Sequence, residues 1–188
     1  MPEQQYIYHR VPSNMTGTML YPLNILREKI PEIYESHNSK YVGREELTQL
    51  YIPQLDCLWN DVLFMTPIHP QEHQDVFDRF GYISRGTKFF KIPADMLDPA
   101  ITKLYLYQKV IDLEDIILPR NMLDYVPSEM GNYSKIPPRA LAYLESMLRK
   151  NEQFFTYHKM PHVLYKGTLD ISNIEIITVH PKSTCVSQ

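Results

Sequence analysis

Cysteine is scarce in this chain: Cys57 and Cys185 are its only two thiols in 188 residues. Two thiols cannot build a disulfide framework, and without paired Cys-x-x-Cys ligands no structural zinc site is expected. A reducing, cytoplasmic setting is the expectation. No apolar run approaches the length that spans a bilayer, and the opening MPEQQYIYHR lacks the apolar stretch of a signal peptide, so integral membrane insertion is not expected. A basic excess is missing too. Nineteen Lys and Arg face 22 Asp and Glu, for a net charge of −3, which excludes a non-specific hold on nucleic-acid phosphates and leaves only local contacts. Glycine numbers six, and no Gly-x-Gly-x-x-Gly, Walker loop or Gly-x-Ser-x-Gly elbow occurs, which removes the Rossmann, P-loop and serine-hydrolase readings. Internal repeats and low-complexity tracts are absent.

What the chain does have is 14 Tyr, 15 Pro and a 44% hydrophobic content. That is enough for one sizeable core, so we expect a single domain over residues 1–188, with 181–188 as a flexible tail. Many rigid turns and half-buried aromatic walls suit an α+β fold better than a helical bundle.

The densest segment is Ile52 to His73, which holds the chain's one Trp. Val62 to Met65 reads as a buried strand, Thr66-Pro67 as a corner, and Pro70 as the first residue of a helix stopped at Gly81. This corner would place His69 at the rim of the core, although core and turn alone would also account for it. Further strands are expected at Tyr6–Val11, Thr87–Ile92, Ile101–Tyr107, His162–Lys166 and Ile174–Val179. Helices are expected at Ile25–Lys29, from Pro31 to Glu35, at Arg44–Leu47, and from Pro137-Pro138 to Arg149-Lys150. The stretch 112–132, mixing Ile116-Ile117-Leu118 with prolines, reads as a long surface excursion.

Several chemistries can be weighed by spacing. His69 and His73 lie four apart, as two helix-borne metal ligands would, but the His-Glu-x-x-His pattern is not met. A metal-dependent hydrolase is therefore a third-ranked reading, and no metal is expected. Cys57 lies beside Leu58-Trp59, where an apolar setting raises a thiol pKa, so it reads as filler. Glu175 interrupts a β-branched strand and projects opposite to Ile174 and Ile176. It faces either solvent or a cleft shared with His69 and with His9 or Arg10. In a cleft, its carboxylate would stabilise a positive, sugar-like transition state.

The order of His9-Arg10 ending a first strand, the apolar Val62–Met65 strand with its Pro-containing corner, and Glu175 in a late strand resembles the ADP-ribosyltransferase-like superfamily. The DNA-modifying and NAD-degrading toxins are the branches nearest in size. The resemblance implies a split mixed sheet around a cleft, NAD as substrate and a macromolecular acceptor, protein or nucleic acid. It also implies Glu175 and His69 as catalytic residues, with His9, Arg10, Tyr21 and Asn24 holding the dinucleotide. His69 stands where the DNA-modifying branch carries an arginine. The rival expectation is a non-catalytic interaction module, an effector or immunity-type binding protein. Finally, Cys185-Val186-Ser187-Gln188 loosely fits a prenylation box, which would give a peripheral membrane anchor at Cys185.

Overall fold

The computed structural model describes residues 3–82, 86–107 and 113–181. In chain order the elements are β1 (Tyr6–Arg10), β2 (Met19–Leu20), α1 (Leu23–Lys29), α2 (Pro31–Asn38), β3 (Tyr51–Ile52), β4 (Cys57–Leu58), β5 (Leu63–Met65) and α3 (Pro70–Arg79). They continue with β6 (Thr87–Pro93), β7 (Thr102–Tyr105), β8 (Met122–Asp124), α4 (Pro138–Lys150), β9 (His162–Tyr165), β10 (Leu169–Asp170) and β11 (Glu175–Val179). The chain is α+β. Two sheets dominate, one in the order β1-β6-β11 and one in the order β5-β9-β7-β8. Every ladder among the described residues is antiparallel, where a mixed sheet was expected.

Alternation along β1 and β6 decides where the core sits. Ile7, Phe90 and Ile92 point to one face, are at most 1% exposed, and pack with Leu63, Met65, Leu104 and Val163 from the second sheet. The other face carries Tyr8, Phe89 and Val179, packed against Tyr157. Each sheet therefore contributes one apolar face to a shared interior, the arrangement that removes most apolar surface from water. A further cluster gathers Ile52, Leu55, Cys57, Val62 and Leu164 beside the β3–β4 ladder.

The helices follow their sequence signals. Pro70 opens α3, and the His69 side chain caps it by accepting from the Gln71 N–H at 3.1 Å. Pro138 opens α4, which buries Ala140 and Leu144 completely and ends at Asn151 in the left-handed conformation, φ 53°. Pro31 likewise starts α2. The expected helix at Arg44–Leu47 is instead a 3-10 turn over Glu45–Gln49.

Another expectation is corrected. Residues 113–132 are no surface excursion, since Ile116, Met122, Tyr125 and Met130 are all buried and β8 pairs with β7. Ile176, which alternation sets on the side opposite Glu175, is itself 52% exposed, on the edge strand β11. The proposed tail from residue 182 and the prenylation box at Cys185 lie outside the described residues. No helix among the described residues is long and apolar enough to cross a membrane.

Candidate functional site

The three-stranded sheet sorts the expected site residues into two sets. Register pairs Glu175 with Lys91 and Lys91 with Tyr8, so these three share one face. His9, one residue along from Tyr8, points to the opposite face. A cleft that joins His9 to Glu175 is therefore not formed. The Glu175 side chain is 59% exposed, and its Oε2 lies 2.9 Å from Lys91 Nζ. That ammonium also sits 4.5 Å over the Tyr6 ring, and Glu175 raises its pKa. His69 stays near this face, edge-on to Tyr8 at 4.9 Å, with Nδ1 committed to its helix cap. Burial lowers its pKa.

His73 is no partner for a metal shared with His69. It is buried, and its Nε2 lies 2.9 Å from Met160 Sδ. No group of three or more His, Cys, Asp or Glu able to hold a metal forms among the described residues.

The second set does converge. His9 and Tyr21 line a cavity of about 130 Å³ between the α1–α2 pair and the body. Its roof is apolar, from Leu23, Leu26, Ile30 and Ile33, and its floor is Val62, Leu63 and Phe64. Asn24 does not line it but fixes the roof. Its Nδ2 donates to Asp61 Oδ1 at 2.7 Å, while Asp61 Oδ2 accepts from the Leu58 N–H at 2.8 Å. The shape thus follows from local sequence: Pro22 and Pro31 set two short helices, and the Asp61 carboxylate ties the first to the Trp59–Asp61 turn.

Polar groups in the wall are few. His9 Nδ1 is 2.9 Å from the Phe64 carbonyl, which can only accept, so Nδ1 carries the hydrogen and Nε2 keeps a lone pair. Burial pushes this imidazole's pKa down, against the pull of the Phe64 carbonyl and with help from Lys40 and His37, so the ring is neutral. His37 Nε2 lies 3.1 Å from Asn14 Oδ1, and burial followed by Lys40 lowers its pKa as well. The Lys40 ammonium is pushed down by burial and then by Arg44, although the residue as a whole reaches solvent at the cavity mouth. Asn60 is 3% exposed, and its Oδ1 has no hydrogen-bond partner. A buried acceptor left unpaired costs about 1–3 kcal/mol. Among the described residues, no Asp or Glu lines this cavity.

Sequence reasoning missed Asn60, His37 and Lys40. A signal existed for Asn60, since Trp59-Asn60-Asp61 places an amide inside the most apolar stretch of the chain. None existed for His37 and Lys40, whose inward placement depends on how α2 docks. Comparison of the chain with protein families, with curated proteins and with solved structures finds no match.

Proposed function

We propose that this protein binds a small ligand in the cavity beneath α1 and α2, and that the bound part is a flat ring carrying a hydrogen-bond donor. The nicotinamide end of NAD has that form, and it is the ligand that the resemblance to the ADP-ribosyltransferase-like superfamily suggests. One observation carries the reading: the unpaired Oδ1 of Asn60, which lines the same cavity as the His9 imidazole. Both His9 Nε2 and Asn60 Oδ1 are acceptors, and the N–H groups of a carboxamide are donors that match them. A cavity of about 150 Å³ holds a benzene ring, and this one, at about 130 Å³, matches a single ring. Tyr21 supplies an aromatic wall.

The geometry favours binding over cleavage. Loss of nicotinamide from NAD builds positive charge on the ribose, which a carboxylate stabilises. Glu175 stands on the far face of the sheet, paired with Lys91, so the reading takes the form of a non-catalytic binding protein. Calorimetry of the full chain with nicotinamide and with NAD tests it. Binding of both, weakened about tenfold or more in Asn60→Leu, is expected. No binding of either at millimolar concentration, or unchanged binding in Asn60→Leu, overturns it. Release of free nicotinamide by the wild type but not by Glu175→Ala would restore the catalytic reading.

A further inference from the structure

β11 closes one side of the three-stranded sheet, and no strand among the described residues pairs with its outer edge. The ladder hydrogen bonds show which of its backbone groups face outward. Val11 donates its N–H to the Lys88 carbonyl at 2.9 Å, so Lys88 and Phe90 turn their backbone groups toward β1, while Phe89 and Lys91 turn theirs toward β11. Register then commits Glu175 and Ile177 to β6. Ile176 and Thr178 point the other way, and their N–H and C=O groups have no partner among the described residues. Ile174, the next outward residue, has its N–H closed by the Ile171 carbonyl at 3.2 Å.

A bare edge of this kind is a template for another strand, and sheets blunt it with Lys, Pro or a bulge. This edge carries none of them. The stretch Ile174 to Val179 contains no Lys, Arg or Pro, and its ladder with β6 runs through every residue from Glu175 to Val179 without a bulge. Side chains on the outward-facing residues are open as well, with Ile176 52% exposed and Thr178 also exposed.

The free groups are self-complementary, which identifies the occupant. With a two-fold axis at Ile177, Ile176 lies opposite the partner's Thr178, and every free N–H on one copy meets a free C=O on the other. An axis at Ile176 fails this test, because it sets Thr178 against Ile174, whose N–H is already taken. The favoured register also packs Ile176 against the methyl group of the partner's Thr178 and Ile177 against the partner's Ile177. Glu175 falls opposite the partner's Val179 and keeps its own Lys91 at 2.9 Å, so no like charges meet.

We propose that two copies of this chain associate edge to edge through β11, in antiparallel register about Ile177, and so join their three-stranded sheets into one. So short a strand buries less than a standard interface, and the dimer therefore dissociates at roughly micromolar concentrations or above. Sedimentation velocity of the full chain from about 5 to 500 μM tests this, with the wild type passing from monomer to dimer across the range. Thr178→Pro removes an outward N–H without touching the bonds to β6, and Ile176→Lys brings two lysines onto neighbouring diagonal positions. Each variant weakens association about tenfold or more. Both positions are exposed, so the variants keep the wild-type unfolding midpoint in dilute solution, and Ile176→Lys decides the question even where the proline fails to fold. Hydrogen exchange adds a second readout: the Ile176 and Thr178 amides gain protection as concentration rises. A wild type that stays monomeric throughout, association as tight in both variants as in the wild type, or protection of these two amides already present in the dilute monomer overturns the proposal.

Discussion

Tyr8 and Thr66 exchange both backbone hydrogen bonds, at 2.7 and 3.0 Å, and this bridge joins the three-stranded sheet to the end of β5 in the four-stranded one. The Thr66 side chain reinforces the joint. Its Oγ1 donates to the Pro161 carbonyl at 3.1 Å and accepts from the Ile68 N–H at 3.2 Å. Thr66 is 5% exposed, so Thr66→Val keeps the shape but strips two buried backbone groups of their partner. A loss of about 1–3 kcal/mol is expected, read as a shift in the urea midpoint at unchanged slope.

The joint also explains what the sequence could and could not disclose. Strands of four or more residues bounded by Pro, Gly or Asn were legible, as were helices begun by Pro31, Pro70 and Pro138, because those signals are local. β2, β3, β4 and β10 were not, since each is two residues long and offers no period to detect. Cys57 was legible as filler, because apolar neighbours in sequence turned out to be neighbours in space. The cleft around Glu175 failed for another reason. Alternation placed Glu175 correctly against its own strand, but which face His9 shares with it depends on the β1–β6–β11 register, a long-range property. The resemblance implies Asn24 as a ligand contact, whereas in the structure it holds the roof through Asp61.

Acid should destabilise the fold through His73. Burial first, and His162 second, lower its pKa from 6.5 to about 4. An unfolded chain takes up the proton near pH 6.5, whereas the folded chain resists until about 4. The unfolded state therefore holds more protons in that interval, so the stability contribution is complete above pH 6.5 and is lost as pH falls towards 4. The loss from this residue reaches about 3 kcal/mol. His9 and His162, also buried with lowered pKa values, steepen the same slope. Urea midpoints at about pH 7, 5.5 and 4.5 should fall in that order. His73→Phe should flatten the curve.

Glu175→Gln should leave the unfolding midpoint where it is. The carboxylate is mostly exposed and meets a lysine at a sheet edge, a setting in which solvent screening cancels most of the attraction. Nicotinamide binding should also survive, since the residue lies across the sheet from the cavity. A variant that unfolds readily, or one that loses nicotinamide, contradicts the placement of β11.

Cys57 should resist alkylation in the native protein. Burial raises its thiol pKa to about 11, against a smaller lowering by Lys166, and the residue is 7% exposed. At pH 8 almost none of it is thiolate, and reagents cannot reach it. Peptide mapping after iodoacetamide treatment should find Cys57 unmodified until denaturant is added. Rapid native labelling at this position would show that the β3–β4 ladder opens easily.

Asn60→Leu offers the sharpest separation of stability from function. The wild-type amide leaves Oδ1 buried and unpaired at the cavity, so the fold bears the desolvation of an acceptor with nothing to satisfy it. Leucine is larger and has no polar atom, and its extra volume has room in the cavity that residue 60 lines together with Val62, Leu63 and the roof residues of α1. The variant should be as stable as the wild type or more so, by up to about 1–3 kcal/mol, while ligand binding falls. A purely structural asparagine predicts the reverse, a less stable protein whose affinity for nicotinamide is intact. Thermal unfolding with and without nicotinamide gives both readouts at once: the apo midpoint of the variant rises or holds, and the upward shift that ligand confers on the wild type disappears.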